Sequence, residues 1–255
     1  MSGRTVIVTG GAGTIGRAIA GAFAGQGDFV AIWDLKKGPA NSAARHIQNE
    51  TAGSAKGFAV DVTKEDQVIR AVKQLVDERG RIDVIVNNAG LQHIDPVEHF
   101  PLSKWNRLLD VMLTGPFLLT KHVVPVMKKQ KYGRIINISS VHGKTASPFK
   151  SAYISAKHGL VGLTKTVALE VADHGITANA VMPGAVDTPL VQNQLEKLAE
   201  EEGISKKEAL LKHLLNKQAI KRFIRPEEVA LCAVYLASDP AGAVTGETIS
   251  VSGGW

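Results

Sequence analysis

A tyrosine and a lysine, Tyr153 and Lys157, stand four residues apart in a helical segment of the sequence. Residues at this spacing lie on one face of a helix, about one turn from each other. A lysine charge about 4 Å from a tyrosine hydroxyl, at an effective dielectric constant of 20, is worth roughly 4 kcal/mol, or about three pKa units, in favour of the tyrosinate. Ser140, in a loop after a predicted strand, can hydrogen-bond the oxygen that exchanges its proton with this tyrosine. Together these residues predict a proton-transfer site, although each alone is more often structural.

Glycines are concentrated in the turn from Thr9 to Gly16, which follows a predicted strand and opens a predicted helix. In that context the backbone N–H groups and the helix N-terminus can bind a pyrophosphate, which favours a dinucleotide site over a simple tight turn. Asp34 ends the second predicted strand, 24 residues after Gly10, where a carboxylate accepts hydrogen bonds from ribose hydroxyls. This favours NAD, because a 2′-phosphate would meet Asp34 as a like charge. Three basic residues lie near enough in sequence to soften that repulsion: Arg17, Lys36 and Lys37.

Strand-like apolar runs alternate with helix-length amphipathic segments along most of the chain. The predicted strands are 5–9, 29–34, 57–60, 82–87, 133–138, 177–182 and 247–251. The predicted helices between them are 14–25, 40–51, 64–79, 103–129, 151–173 and 226–237. This alternation predicts an α/β fold, a doubly wound parallel sheet of the Rossmann type with helices on both faces. We expect residues 1–255 to form a single domain.

One segment departs from the alternation, between Thr188 and Phe223. It holds two successive helical patterns, Pro189–Glu202 and Ser205–Lys217, hinged at Gly203 and without a strand between them. The apolar spacing within the first pattern indicates a helix that covers another surface. We interpret 188–223 as a helical substrate lid.

Composition excludes several classes of protein. The chain has 255 residues and one cysteine, Cys232, so it forms no internal disulfide framework and no cysteine-based zinc site; we expect no metal. The net charge of +6 is spread along the chain and only 5% of residues are aromatic, which argues against nucleic-acid binding. No apolar run reaches the roughly 18 residues of a membrane span, and no secretory signal precedes the first strand. We expect a cytoplasmic protein without a membrane partner.

Five motifs together resemble the short-chain dehydrogenase/reductase family over essentially the whole chain. They are the turn Thr9 to Gly16, Asn87-Asn88-Ala89-Gly90, Ser140, the run from Tyr153 to Lys157, and Pro183-Gly184. The resemblance implies an NAD-dependent oxidoreductase with the catalytic residues Ser140, Tyr153 and Lys157. It implies these cofactor contacts: Gly10, Thr14, Ile15, Gly16, Asp34, Leu35, Asp61, Val62, Asn88, Ala89, Gly90, Tyr153, Lys157, Pro183, Gly184, Val186 and Thr188. Thr14 stands where the family pattern has its middle glycine, with Gly13 one place early.

Within the family, several segments are similar to bacterial D-3-hydroxybutyrate dehydrogenases, among them Leu91 to Pro96, Ser139 to Gly143 and the closing Gly253-Gly254-Trp255. This similarity implies a small-molecule hydroxy acid as substrate and a homotetramer. It implies that four side chains hold the substrate carboxylate: Gln92, His142, Lys150 and Gln194. A fixed cation with several hydrogen-bond donors is what a small carboxylate requires. Two alternatives stay open, an enzyme of the family for another secondary alcohol, a sugar or a 3-oxoacyl substrate, and a non-catalytic nucleotide-binding relative.

The sequence departs from this resemblance at two positions. Ala185 stands where those enzymes carry a tryptophan after Pro-Gly, which predicts room for hydroxy acids longer than four carbons unless another side chain fills the space. Met112 stands where the family has an asparagine, and a thioether cannot make the hydrogen bonds of an amide. The backbone carbonyl at this position can still bind a water molecule, so we expect turnover to survive.

Overall fold

The architecture was obtained from a computed structural model that describes residues 3–51 and 53–255. Seven parallel strands form one sheet in the order β3-β2-β1-β4-β5-β6-β7. The strands are β1 Thr5–Thr9, β2 Phe29–Asp34, β3 Ser54–Ala59, β4 Val84–Asn87, β5 Gly133–Ile138, β6 Ile176–Pro183 and β7 Thr248–Val251. The predicted doubly wound parallel sheet is confirmed. The strand order reverses between β1 and β4, and ligands of open α/β sheets bind at such a point.

Helices cover both faces of this sheet. They are α1 Thr14–Ala24, α2 Lys37–Glu50, α3 Glu65–Arg79, α4 Leu102–Leu109, α5 Gly115–Gln130, α6 Ser151–Val171, α7 Pro189–Glu202, α8 Lys206–Ala209 and α9 Pro226–Leu236. A π-helical turn, Asp110–Thr114, joins α4 to α5, and a second, Leu210–Leu214, continues α8. Apolar residues of α1 and α9 pack on one face of the sheet, and those of α3, α5 and α6 pack on the other.

The predicted helix 103–129 is divided into α4 and α5 by the π-helical turn Asp110–Thr114, and among the other element boundaries those of β3 and α2 differ most from the prediction. The strand β3 begins at Ser54 rather than at residue 57, because its edge position in the sheet accepts the alternating pattern that includes Lys56. The helix α2 begins at Lys37 rather than at residue 40. Its first turn includes Pro39, which is tolerated there because the N–H groups of a first turn have no partner within the helix.

The segment interpreted as a lid contains two helical elements as predicted, but the second ends with the π-helical turn at Leu214 rather than at Lys217. The helix α7 ends at Gly203, whose φ of +63° favours glycine, and α8 begins after Ser205, which caps it through a reciprocal bond with Glu208.

Within the described ranges, no helix is long and apolar enough to cross a membrane.

Candidate active site

A cleft of about 440 Å³ opens at the carboxyl ends of the parallel strands. Its lining runs from the glycine-rich turn after β1, past the ends of β2, β4, β5 and β6, to α7 of the lid. Every residue to which the sequence assigned a catalytic, cofactor or substrate role lies on this lining. The sheet therefore brings together motifs that are far apart in the sequence, and this placement leaves the role of each residue to be tested.

The glycine-rich turn packs too closely against its neighbours to hold side chains at two positions. Gly10 has a φ of +59°, and a Cβ atom there would lie 2.9 Å from the Cα atom of Ala89. A Cβ atom on Gly16 would lie 2.3 Å from the carbonyl oxygen of Gly10. Gly13 precedes α1 without a side-chain cap, and the first residues of the helix, Thr14, Ile15 and Gly16, line the cleft. A cradle of this kind fits a pyrophosphate.

Asn88 holds this turn against β4. Its side-chain amide donates to the carbonyl oxygens of Thr9 and Gly10, at 3.0 and 3.2 Å. The hydroxyl of Thr9 in turn accepts from the backbone N–H groups of Asn88 and Ala89. Asn88 and Ala89, both predicted to contact the cofactor, therefore also stabilise the turn at the end of β1.

Asp34 is oriented by two backbone groups at the end of β2. Its carboxylate oxygens accept from the N–H of Ala12 at 3.1 Å and from the N–H of Leu35 at 2.9 Å. None of the three basic residues near it in sequence lines the cleft. Arg17 instead faces a groove between α1 and α2. The charge that a ribose would meet is therefore that of the Asp34 carboxylate.

Arg107 is a cleft residue that sequence reasoning missed. It approaches the loop after β3, where its guanidinium lies 3.8 Å from the carboxylate of Asp61 and donates to the hydroxyl of Thr63 at 3.3 Å. Burial opposes ionisation of Asp61, but the hydroxyl and N–H of Thr63 and the charge of Arg107 hold its pKa below the usual value. One arginine in an amphipathic helix carries no sequence signal, so only the packing of α4 reveals it.

The predicted catalytic residues form one cluster. Ser140 follows β5, accepts from the N–H of His142 at 3.1 Å and lies near enough to the hydroxyl of Tyr153 to favour a lower pKa for that group. Lys157 is buried, and its ammonium donates to the carbonyl oxygen of Ile138 at 2.7 Å while lying 5.7 Å from the centre of the Tyr153 ring. The helix α6 thus presents both residues to the serine across the cleft.

Burial controls the protonation of this cluster. It raises the pKa of Tyr153 above the usual 10, although the nearby Ser140 side chain acts in the opposite direction. It lowers the pKa of Lys157 to about 8. The shared helix face is as expected, but the residues of the chain do not by themselves produce a tyrosinate near neutral pH, because desolvation penalises both charged forms.

Met112 lies in the π-helical turn between α4 and α5. Its side chain is fully buried and packs in an apolar cluster with Ala152, Ala156 and the ring of Tyr153. A Cβ atom on Gly90 would lie 3.8 Å from its sulfur. Met112 is therefore a packing residue of the apolar cluster that includes Tyr153.

The four predicted carboxylate-binding residues surround one end of the cleft. Lys150, just before α6, has neither an ion-pair partner nor a side-chain hydrogen bond among the described residues, and burial lowers its pKa. Burial and the nearby charge of Lys150 lower the pKa of His142 to about 4, so its imidazole is neutral at pH 7. Gln92 donates to Gln194 on α7 at 3.3 Å, which connects the loop after β4 to the lid.

Two further residues on the lining were not assigned to the site from the sequence. The ring of Trp255 lies edge-on to that of His142 at a centroid distance of 5.6 Å. Gly253 and Gly254 aim it there, with φ values of +62° and +84° that favour glycine. Leu214, from the π-helical turn after α8, lines the cleft with Ala185. Only the folding of the chain end and of the lid brings these residues to the site.

The family is shown by comparison with known proteins. The model of the short chain dehydrogenase family matches residues 4–199, and the chain belongs to this family. The fold and the cluster of Ser140, Tyr153 and Lys157 thus belong to an oxidoreductase of that family.

Two curated relatives and one solved structure illustrate the range within the family. A D-beta-hydroxybutyrate dehydrogenase of Rhizobium meliloti is 42% identical over 99% of this chain and 98% of its own length. A 3-oxoacyl-acyl-carrier-protein reductase of Thermotoga maritima is 35% identical over 100% of this chain and 98% of its own. The crystal structure of an NAD⁺-bound xylitol dehydrogenase superimposes with a TM-score of 0.92 at 28% identity, covering 99% of both chains. The resemblance found in the sequence is confirmed, and a nicotinamide cofactor is indicated.

Proposed function

We propose that the protein is an NAD-dependent dehydrogenase that oxidises a 3-hydroxy acid, and reduces the corresponding 3-oxo acid, in the manner of the hydroxybutyrate dehydrogenases. The observation that carries the proposal is the half-buried ammonium of Lys150 at one end of the cleft, which has no partner among the described residues. A charge that is partly removed from water and has no partner is unfavourable, so a bound anion would stabilise it. The neutral imidazole of His142 and the amides of Gln92 and Gln194 supply further hydrogen-bonding groups for a carboxylate.

The catalytic cluster can move the proton that this reaction requires. Ser140 is placed to hydrogen-bond the oxygen on carbon 3 of the substrate, and Tyr153 exchanges the proton of that oxygen. Lys157, held by the carbonyl oxygen of Ile138, places a positive charge behind the tyrosine when it is protonated. A bound oxidised nicotinamide supplies the hydride acceptor and a second positive charge. Because burial keeps Tyr153 protonated, its hydroxyl is suited to protonate a carbonyl oxygen in the reductive direction.

The preference for NAD is expected to depend on Asp34. We expect wild-type kcat/KM to be higher with NAD than with NADP, because the oriented carboxylate accepts ribose hydroxyls and repels a 2′-phosphate. Asp34→Ala should lower the ratio of kcat/KM with NAD to kcat/KM with NADP by about tenfold or more, which corresponds to roughly 1.4 kcal/mol. The measurement is the initial rate as a function of the concentration of each cofactor, at one fixed substrate concentration. Equal use of both cofactors by the wild type would contradict the role of Asp34.

The anion site is tested with Lys150→Ala. We expect kcat/KM for a short 3-hydroxy acid to fall about ten- to a hundredfold, because a charge-assisted hydrogen bond is lost, and kcat/KM for a neutral secondary alcohol of similar size to change little. Lys144→Ala is the matched control, since this lysine lies on the same loop and its ammonium binds the hydroxyl of Ser250 outside the cleft. Equal losses on the acid and the alcohol would show that Lys150 does not bind the carboxylate.

One alternative within the family has specific support. The similarity to the Thermotoga maritima reductase makes a 3-oxoacyl thioester the second candidate substrate. A thioester has no free carboxylate to meet Lys150, so a free hydroxy acid accounts better for this end of the cleft.

The non-catalytic alternative predicts no turnover with any substrate, and the complete catalytic cluster argues against it.

The assembly is proposed on the resemblance, and the location on the composition of the chain. We expect a cytoplasmic homotetramer that binds neither nucleic acid nor membrane. Large apolar side chains are exposed on α5, α6 and α9, where copies of the chain could cover them: Phe117, Leu169, Leu231 and Tyr235.

A further inference from the structure

The lid has a small apolar core of its own. Its buried members are Ala185, Leu195, Ala199, Ala209, Leu214 and Leu215, and they form a cluster separate from those on the two faces of the sheet. All of them belong to the lid except Ala185, which follows β6. Ala185 is 8% exposed although its side chain is a single methyl group. The lid helices therefore close over the strand end where the sequence predicted open space.

The π-helical turn determines which lid residue reaches the cleft. The N–H of Leu215 donates to the carbonyl oxygen of Leu210 at 2.9 Å, five residues back, so the turn holds one residue more than an α-helical turn. Leu214 and Leu215 are both buried at its end, and of these two only Leu214 lies on the cleft lining. Leu211, on the same turn, is 44% exposed and lies outside both the cluster and the cleft.

The covalent structure of a 3-hydroxy acid relates this wall to the substrate. The reacting carbon 3 carries two different carbon substituents: carbon 2, which leads to the carboxylate, and carbon 4, which begins the hydrocarbon end. With the carboxylate at Lys150 and the hydroxyl at Tyr153, the hydrocarbon end requires a separate apolar wall. Ala185, Val191 and Leu214 are aliphatic side chains on the part of the lining that adjoins the lid core.

We propose that Leu214 sets the length of the substrate, by filling the space that Ala185 leaves and packing against the terminal methyl group of a four-carbon 3-hydroxy acid. The inference rests on the proposed function and extends it to the substrate class. Because Leu214 is part of the lid core, the same side chain limits the length of the substrate and packs the lid in its closed position. A longer acid would have to displace Leu214 from that core.

The test compares kcat/KM for 3-hydroxybutyrate and 3-hydroxyhexanoate in the wild type, Leu214→Ala and Leu214→Phe. We expect the wild type to prefer the four-carbon acid. Leu214→Ala should raise the six-carbon to four-carbon ratio by about tenfold or more, because room for about two methylenes is created. Leu214→Phe should lower it. Leu211→Ala is the matched control and should leave the ratio unchanged.

The outcomes separate this inference from the proposed function. Activity on both acids with a ratio that neither Leu214 variant changes would overturn the role of Leu214 and leave the proposed function standing. No activity of the wild type on any hydroxy acid would overturn the proposed function, and the inference with it. If Leu214→Ala opens the lid and loses activity on both acids, Leu214→Phe decides, because it fills the cleft without removing apolar contacts from the lid core. An unchanged ratio in that variant overturns the inference.

Discussion

Replacing Tyr153 with phenylalanine is expected to lower kcat by about a thousandfold, the middle of the range for a lost general acid–base group. The change removes only the hydroxyl beside Ser140, which we propose exchanges the proton of the substrate oxygen. The ring keeps its place in the apolar cluster beside Met112, so binding of the cofactor should be nearly unaffected. The measurements are steady-state kcat and cofactor affinity by fluorescence titration.

Tyr132→Phe is the matched control for this experiment. The hydroxyl of Tyr132 is bound to Asp239 at 3.3 Å on the surface, outside the cleft, and its removal should leave kcat unchanged. Retention of more than a tenth of the wild-type kcat in Tyr153→Phe would assign the proton transfer to another group. A thousandfold loss accompanied by lost cofactor binding would point to a structural role of the tyrosine.

The sheet and its main motifs could be predicted because the information is local. Each buried strand is an apolar run that ends in turn residues, and Asp34, Asn88, Ser140 and Pro183 follow such runs directly. In a parallel sheet the carboxyl ends of the strands meet at one edge, so residues after the strands lie in one cleft. Edge strand β3 was placed less accurately because it is only half buried, and its apolar run is interrupted.

The site residues that could not be predicted from the sequence are brought to the cleft by tertiary packing. Arg107 reaches the cleft from the last turn of α4, Leu214 from a π-helical turn, and Trp255 through the left-handed conformation of two glycines. None of these placements follows from residue spacing. The effect of burial on Tyr153 could not be predicted for the same reason, since spacing shows that Lys157 shares its helix face but not that both groups are desolvated.

Removing the charge of Lys157 should lower kcat without lowering the free energy of unfolding. With Lys157→Met we expect kcat to fall about a hundred- to a thousandfold, because the positive charge behind Tyr153 is lost. Burial lowers the pKa of this lysine from 10.5 in the unfolded chain to about 8, which corresponds to a penalty of about 3 kcal/mol for holding the ammonium at pH 7. Methionine avoids this penalty but leaves the carbonyl oxygen of Ile138 without its donor, at a cost of about 1–3 kcal/mol. The free energy of unfolding at pH 7 should therefore stay level or rise by up to about 2 kcal/mol.

The pH dependence of unfolding distinguishes this explanation from simple repacking. Between pH 8 and 10.5 the unfolded chain binds a proton at Lys157 that the folded chain has released, so the contribution of this residue to wild-type stability rises with pH. Denaturant unfolding at pH 7 and pH 10 should therefore show wild type gaining roughly 2 kcal/mol relative to Lys157→Met at the higher pH. Other groups titrate alike in both proteins and cancel in the difference. A difference that does not change with pH would mean that the Lys157 ammonium is not penalised in the folded protein, and burial would then not explain the protonation of the catalytic cluster.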